Sequence, residues 1–447
     1  MDQKTLNALA KGAGITAIAM FVSKIITYFY RIVIARFVGP DAYGQLSLAL
    51  MVIGIGGTLG LMSLNSGLQK FIPEFRTKNE KAKIKGLVLS SMQIAVPASL
   101  MISLAIFFGA DFIANSIFSS PELATVLKVM SVAPFFGTLS SIFFDTTVGF
   151  NKIIYKSGTQ SILQNLVQLT ITVILVALGY GVLGAAWGWV VGVVFASILG
   201  FYFMEKKVGP ILLSNVKPDY QHRKLFFYSY PLLLSGIVSS VMGWADTGFL
   251  GYYMTDFEVG LYNAALPTAL LIILPHKAIG SLALSSLSEL NERNRKEAES
   301  SLQTATYWVF ALVFPTFLVM VLFSKQVLYI LFGSEYQAAS LALSILAIGY
   351  LFNASVGRVG SFLQSKGHTK YIMYNNLALV ILNIVLNILL VPLYGLVGAA
   401  IATSTSMILS NILMYIEVWK KEGIHTLSSK MPKVVITALI PLTLILL

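Results

Sequence analysis

The chain has 447 residues, of which 56% are hydrophobic and 11% are charged, and its mean hydropathy is +0.79. Soluble domains carry about 25% charged residues, so this composition excludes a soluble enzyme or binding module and predicts a polytopic membrane protein. The net charge of +12 comes from 31 Lys and Arg against 19 Asp and Glu, and the absence of cysteine excludes disulfides and thiolate metal sites.

Apolar runs long enough to cross about 30 Å of hydrocarbon follow one another along the whole chain. The first six predicted spans are 13–37, 45–64, 86–108, 123–149, 158–178 and 183–204. The second six are 226–253, 259–284, 302–323, 338–357, 371–391 and 396–417. A last run, 434–447, is too short to span and is predicted to be the start of an additional helix. The predicted fold class is therefore an all-α polytopic membrane protein with a core of twelve spans.

The first span carries cations where a membrane helix normally has none. Lys24, Tyr28 and Arg31 follow at i, i+4 and i+7, which places them on one face of an α-helix. A charge at the centre of a spanning helix costs about 2.5–3.5 kcal/mol, so such a residue faces a bundle interior or a water-filled cavity. We therefore predict that these three residues line a functional cavity. Arg36, near the end of the helix, is instead expected to snorkel to the headgroup layer.

The basic residues are distributed unevenly between the predicted loops. About two dozen of the 31 Lys and Arg fall in alternate loops, and the opposite loops hold Lys325 with several Asp and Glu. By the positive-inside rule, the amino terminus is predicted to be cytoplasmic and the chain to lie in the cell membrane. The basic loops are topological signals that also contact membrane lipids, so the charge does not indicate a nucleic-acid partner. The first apolar run is too long for a cleavable signal peptide.

Further ionisable residues lie inside predicted spans. Asp145 is in span four, Asp246 in span seven, Lys277 in span eight and Arg358 at the end of span ten. Asp246 is predicted to line the cavity or to pair with Lys277 or Arg31. Asp246 and Asp145 are candidates for coupling transport to Na⁺ or H⁺. Asp145 and Arg358 lie toward cytoplasmic ends, which leaves an interfacial role open for both.

Prolines and amides mark three more helices. Pro267 and Pro275 interrupt span eight, and broken helices are typical of transporter sites. Amide stripes follow spans five and eleven, and they include Gln160, Gln164, Gln168, Asn376, Asn383 and Asn387. Such stripes form either interhelical hydrogen bonds or a wall that contacts sugar hydroxyls. Gln164, Gln168 and Asn383 are the candidates for that wall.

The sequence repeats itself at a distance of about half its length. The segment Tyr-Gly-Val-Leu-Gly-Ala-Ala at 180–186 returns as Tyr-Gly-Leu-Val-Gly-Ala-Ala at 394–400, an offset of 214. An offset of 216 pairs Gly44 with Gly260 and Ala49 with Ala265. The spans therefore form two parallel six-helix lobes, predicted at 1–212 and 213–425, with 426–447 beginning an additional helix. The polar, Pro-containing segment 205–224 is the predicted linker.

No enzyme motif occurs in the sequence. It contains no Walker A sequence, HExxH, CxxC or GxSxG, so neither a catalytic residue, a metal site nor a cofactor is predicted. Without an ATPase motif, transport would use an ion gradient, the membrane potential or the substrate's own concentration difference.

Residues 35–44, Ala-Arg-Phe-Val-Gly-Pro-Asp-Ala-Tyr-Gly, resemble the run that follows the first helix in the polysaccharide-transporter branch of the multidrug/oligosaccharidyl-lipid/polysaccharide exporter superfamily. The resemblance covers essentially the whole chain. It implies a MATE-like, V-shaped pair of lobes around a cavity that flips lipid-diphosphate-linked oligosaccharides to the outer leaflet. It also implies a lipid-linked glycan as substrate and glycan-assembly enzymes as partners. The family's flippases line this cavity with cations, which the pair Lys24 and Arg31 would match.

The predicted function is a lipid-linked oligosaccharide flippase that works by alternating access. Lys24, Arg31, Lys277 and Arg358 would hold the diphosphate through charge-assisted hydrogen bonds. One alternative is a cation-coupled exporter of organic cations, which needs acidic groups in its cavity. Another is an integral-membrane glycosyltransferase or glycan polymerase, a class that usually carries a large outer loop.

Overall fold

The computed structural model describes residues 3–274, 295–356, 359–366 and 368–446, and the regular elements in these ranges are all helical. In the first part of the chain these are α1 (Gln3–Leu61), α2 (Leu64–Thr77), α3 (Lys81–Phe112), α4 (Leu123–Met130), α5 (Ala133–Gly149), α6 (Ile153–Gly158), α7 (Gln164–Ala177) and α8 (Gly181–Tyr202). They are followed by α9 (His222–Tyr253), α10 (Asp256–Ala269), α11 (Arg295–Leu322), α12 (Ser324–Phe332), α13 (Ser340–Ser355), α14 (Val359–Ser365), α15 (Thr369–Glu422) and α16 (Met431–Leu446).

Within the described ranges, ten helical segments are long and apolar enough to cross a membrane. Two of them, Val22–Leu61 and Lys370–Glu422, hold 40 and 53 residues. At 1.5 Å per residue a span needs only about 20 residues, so each of these segments has room for two of the predicted spans. The chain is thus a multi-pass membrane protein, as predicted, whereas the count of twelve spans plus a partial thirteenth stays a prediction.

Glycine breaks both of the long helices at the turns that the sequence predicted. In α1 the break is at Gly39, where φ is 82° and ψ is 170°, and Pro40 then opens the second half of the helix. In α15 the break is at Gly395, where φ is 54°. The repeat partner of Gly395, Gly181, has nearly the same φ of 50° at the start of α8. The two repeated segments therefore share a glycine with a positive φ at the equivalent position.

Contacts within the chain group residues Met1–Gly260 into one unit and Leu261–Leu447 into another. In the first unit, α9 packs against α1, α2 and α3. The core there is a cluster of buried aliphatic and aromatic side chains from α2, α3 and α5, with Met204, Ile211 and Leu225 beside them. The lobe boundary predicted at residue 212 rests on the duplicated segments, and it stays a prediction.

In the second unit, α13 packs against α11 and α15. One buried cluster joins Leu302, Phe362 and Val418, and another joins Phe310 and Phe314 to Val434 of α16. Residues Met431–Leu446 form α16, whose first turns pack against α11. That this segment begins a helix additional to a twelve-span core stays a prediction. Pro267 lies in the last turn of α10, which gives way to a 3₁₀ turn at Leu270–Ile273, whereas Pro275 lies outside the described residues.

Candidate anion-binding face of the first helix

The predicted cationic stripe lies on the first half of α1. Helical geometry places Lys24, Tyr28 and Arg31 within an arc of about 60°. The Lys24 side chain is exposed, and Tyr28 and Arg31 are half-buried. On one side of the stripe, Tyr30 is buried, and on the other side Phe29 is exposed. The stripe thus runs along the boundary between the packed face and the open face of α1.

Arg31 is held by a tyrosine from beyond the break in the helix. Its Nη1 atom donates a hydrogen bond of 3.4 Å to the hydroxyl of Tyr43, which belongs to the second half of α1 and is 2% exposed. The break at Gly39 turns the chain so that these two residues, twelve apart in sequence, can meet. The contact holds one terminal nitrogen of the Arg31 guanidinium and leaves further guanidinium donors for a ligand.

The two cations of the stripe have no acidic partner in the described part of the chain. No carboxylate there forms an ion pair with Lys24 or Arg31. A neutralised structural pair would need such a partner, because charges inside a membrane bundle are otherwise costly. The arrangement can therefore accept an anionic group along this face.

The amide stripe of span five packs between helices. Gln168 is 2% exposed, and its amide and the Thr172 hydroxyl face the buried hydroxyl of Tyr30. A Cβ on Gly192 of α8 would lie 3.1 Å from the Gln168 Cβ and 3.6 Å from Cγ of Gln164. Gln168 is thus enclosed between helices, while its Nε2 atom, the Thr172 hydroxyl and the Tyr30 hydroxyl have no hydrogen-bond partner among the described residues. The assignment of Gln164 and Gln168 to a substrate wall stays a prediction.

Asn383 has a similar environment in the second unit. Its side chain is buried. Its Nδ2 donates a 3.0 Å hydrogen bond to Thr403 Oγ1, which joins the two halves of α15. Its Oδ1 accepts a 3.2 Å hydrogen bond from Asn387. The amide thus links polar groups inside one helical hairpin, and its contact with a sugar stays a prediction.

Asp145 is fully buried and belongs to an ion pair. Its Oδ1 lies 2.6 Å from Nζ of Lys156 and 2.6 Å from Nε2 of Gln69, while Oδ2 has no hydrogen-bond partner among the described residues. The carboxylate therefore ties α5 to α6 and α2. Ion coupling through Asp145 stays a prediction.

The remaining predicted site residues are Asp246, Lys277 and Arg358. Asp246 is half-buried on α9, beside the buried Thr247. Lys277 and Arg358 lie outside the described residues, so their part in the cavity stays a prediction.

Sequence patterns did not predict how α9 meets the second half of α1. The Thr58 hydroxyl lies 3.4 Å from that of Ser240, and a Cβ on Gly54 would lie 3.1 Å from Nε1 of Trp244. Small residues allow two membrane helices to approach closely. The spacing of Gly54 and Thr58, four residues apart, was the signal available for this contact.

A polar network joins loop ends elsewhere in the first unit. Gln45 donates to Glu122 at 2.8 Å, and the Ser120 hydroxyl donates to Asp256 at 2.5 Å. These residues belong to segments that are far apart in the sequence, so their hydrogen bonds could not be predicted from it.

The profile of the polysaccharide biosynthesis protein family matches residues 33–341, which is more than half of the 447 residues. The chain belongs to this family. The predicted resemblance to polysaccharide transporters is confirmed. The matched range begins at Val33, two residues after Arg31, and it includes Tyr43 and the whole of α9.

Two relatives of this chain carry names that describe transport. Agl15 of Haloferax volcanii, named as a low-salt glycan biosynthesis flippase, is 30% identical over 45% of this chain and 43% of that protein. The match thus spans less than half of Agl15. A Shigella flexneri protein named as an O-antigen transporter is 25% identical over 85% of this chain and 90% of its own length.

Solved structures share the fold of this chain. Lipid II flippase MurJ, in an inward closed conformation, superposes with a TM-score of 0.73 over 96% of this chain and 92% of that chain, at 19% identity. An inward-facing multidrug MATE transporter superposes with a TM-score of 0.67 over 92% and 98%, at 15% identity. Identities this low establish the fold alone, and they confirm the predicted MATE-like fold.

Proposed function

We propose that this protein is a flippase that moves a lipid-diphosphate-linked oligosaccharide from the cytoplasmic to the outer leaflet by alternating access. The observation that carries the proposal is the pair of cations on α1, Lys24 and Arg31, which no carboxylate of the described residues neutralises. A diphosphate offers the oxygens that an ammonium and a guanidinium bind best. The names of the relatives in Haloferax and Shigella support the same class of substrate.

Lys24 and Arg31 have different roles in this proposal. Arg31, anchored at its Nη1 by Tyr43, would present its other donors to the phosphate oxygens in a fixed orientation. Lys24 lies seven residues earlier, about 10 Å along the helix, and is exposed. Two cations at that spacing provide successive positions for a diphosphate that moves across the membrane, while the lipid tail stays in the bilayer.

The membrane potential supplies a driving force in the proposed direction. The protein would lie in the cell membrane with its amino terminus in the cytoplasm, as the basic loops suggest. A doubly negative headgroup that moves outward across a potential of 100 mV, negative inside, gains about 4.6 kcal/mol. Coupling to Na⁺ or H⁺ through Asp246 would add to this force. Glycan-assembly enzymes would supply the substrate on the cytoplasmic side.

An export experiment in cells tests the proposal. Cells that depend on this chain for surface glycan would carry Lys24→Ala with Arg31→Ala, and Arg36→Ala on the same helix would serve as the matched control. The double variant should reach the membrane folded, lose surface glycan and accumulate the lipid-linked precursor, whereas the control should export normally. Normal export by the double variant would remove the proposed site.

The same cells separate the flippase from the drug exporter. A cation-coupled exporter would keep its efflux of cationic dyes in the double variant and lose it in Asp246→Asn. If the protein is a flippase, neither the double variant nor Asp246→Asn should change the efflux of cationic dyes.

A further inference from the structure

A second cationic site lies far along the chain from the α1 stripe, in a cavity of about 390 Å³ in the first unit. Its wall is formed by the end of α2, the start of α3, Phe150 and the segment 208–216. Three of the lining residues are cations: Arg76, Lys81 and Lys85. The volume falls within the range of small-molecule sites, which is about 300–1,000 Å³.

The main-chain contacts of these cations leave their charge uncompensated. Arg76 Nη1 donates to the Phe150 carbonyl oxygen at 2.9 Å, and Lys85 Nζ donates to the Ser214 carbonyl oxygen at 2.5 Å. In the described part of the chain, no carboxylate forms an ion pair with Arg76, Lys81 or Lys85. Carbonyl oxygens orient the side chains without neutralising them, so the wall keeps three positive charges.

The acidic side chains of the neighbouring segments are engaged elsewhere. Glu80 pairs with Lys83 at 2.8 Å, and Glu74 pairs with Lys224 at 3.2 Å. The Glu205 carboxylate accepts hydrogen bonds from the main-chain N–H groups of the segment 211–213, so it holds that wall of the cavity in place. A topological role needs only positive charge in a loop, whereas here three cations without an ion-pair partner among the described residues line a formed cavity.

The position of the cavity and its apolar lining residues limit what it can bind. It lies at the first residues of the candidate span Lys81–Ile117 and the last residues of Gly181–Val208, so we expect it near the membrane surface. The lining also includes the apolar residues Ile84, Val208 and Ile211. Cations together with apolar residues near the membrane surface fit an anionic phosphate that is attached to a less polar group.

We propose that this cavity binds a phosphate-bearing anion at the membrane surface. Arg76, Lys81 and Lys85 hold the phosphate oxygens through charge-assisted hydrogen bonds. A lipid headgroup and a soluble phosphate share this chemistry. The site is separate from the α1 stripe, and the inference does not depend on the proposed flippase function.

Binding to the purified full chain in detergent tests the site, with two probes that separate the sources. Native mass spectrometry would compare retention of phosphatidylglycerol with that of phosphatidylcholine, and titration calorimetry would measure binding of inorganic pyrophosphate. Retention of phosphatidylglycerol alone identifies a lipid headgroup, and binding of pyrophosphate alone identifies a soluble anion. The proposal would be overturned if the wild-type chain neither preferred phosphatidylglycerol nor bound pyrophosphate at millimolar concentration.

Variants of the lining cations test whether the measured binding occurs in this cavity. Lys81→Gln with Lys85→Gln should weaken binding of the effective probe at least tenfold. Lys83→Gln is the matched control, because Lys83 lies between these two residues on α3 but pairs with Glu80, and its binding should stay within twofold of wild type. Equal binding by the double variant and the control would contradict the site.

A second variant leaves all the native cations in place. Asn79 lines the cavity and is exposed, with a positive φ of 60° that Asp also tolerates. Asn79→Asp adds a negative charge of almost the same shape, so it should weaken binding several-fold without altering the fold. Unchanged binding in Asn79→Asp would also count against the proposal, even if the double variant failed to fold.

Discussion

Gly44 of α1 and Gly260 of α10 pack against each other through reciprocal contacts. A Cβ on Gly44 would lie 1.9 Å from the Asp256 carbonyl oxygen, and a Cβ on Gly260 would lie 1.9 Å from the Pro40 carbonyl oxygen. Gly44 and Gly260 are 216 residues apart, and so are Pro40 and Asp256. Reciprocal contacts between equivalent residues are the pattern of a two-fold axis, which is what the duplicated sequence predicts at this point.

Alanine at either glycine should therefore destabilise the protein by a similar amount. Gly44→Ala or Gly260→Ala places a methyl group into a main-chain carbonyl, and overpacking of this kind costs about 1–3 kcal/mol. Gly57→Ala is the control, because a Cβ there meets nothing within 4 Å. Thermal unfolding in detergent should show a loss for the first two variants and none for the control. A loss confined to one of the pair would argue against the two-fold relation.

Alanine at Gly39 should destabilise the break in α1. The φ of 82° with a ψ of 170° is open almost only to glycine, and another residue there costs about 1–3 kcal/mol. Gly39→Ala should therefore lower the unfolding temperature, and it should also reduce transport because it disturbs the contact of Arg31 with Tyr43. Gly57→Ala again provides the comparison. Wild-type stability in Gly39→Ala would show that the break does not need glycine.

Loss of Lys156 should leave a buried charge without its cation. Asp145 is fully buried and its Lys156 partner is about a third exposed, so Lys156→Met should destabilise the protein by about 3 kcal/mol. Combining it with Asp145→Asn should restore most of the stability, because an uncharged amide no longer needs the ammonium. The measurement is the free energy of unfolding of both variants. The hypothesis fails if the double variant is as unstable as Lys156→Met alone.

Most of the fold was predictable because membrane spans follow from length and hydropathy. The turns at Gly39 and Gly395 were visible as Gly-Pro and Tyr-Gly motifs, and the sequence repeat pairs Gly44 with Gly260, which the structure places in contact. The sequence also predicted the helical phase of Lys24 and Arg31, because a single helix fixes the relative direction of its own side chains.

The partners of polar groups could not be predicted in the same way. Asp145 pairs with Lys156 across a turn and with Gln69 from an earlier helix, and no local pattern encodes that meeting. The amide of Gln168 had two possible uses, and only the packing of α7 against α1 and α8 shows that it is enclosed. Local periodicity gives the face of a helix, whereas the neighbour on that face depends on tertiary packing.

The cationic cavity was missed for a related reason. Arg76, Lys81 and Lys85 belong to a basic run that the positive-inside rule already explained. The sequence contains no indication that the segment 208–216 folds over this run, because that closure depends on Glu205 and its main-chain hydrogen bonds.

Flipping of a fluorescent lipid-diphosphate-linked sugar by the purified protein in vesicles tests the central claim most directly. With the potential negative on the side where the lipid starts, the wild-type protein should flip it faster than at zero potential. Lys24→Gln with Arg31→Gln should reduce flipping to the rate of protein-free vesicles, and Arg36→Gln should keep it within twofold of wild type. Flipping at the wild-type rate by the double variant would contradict the account.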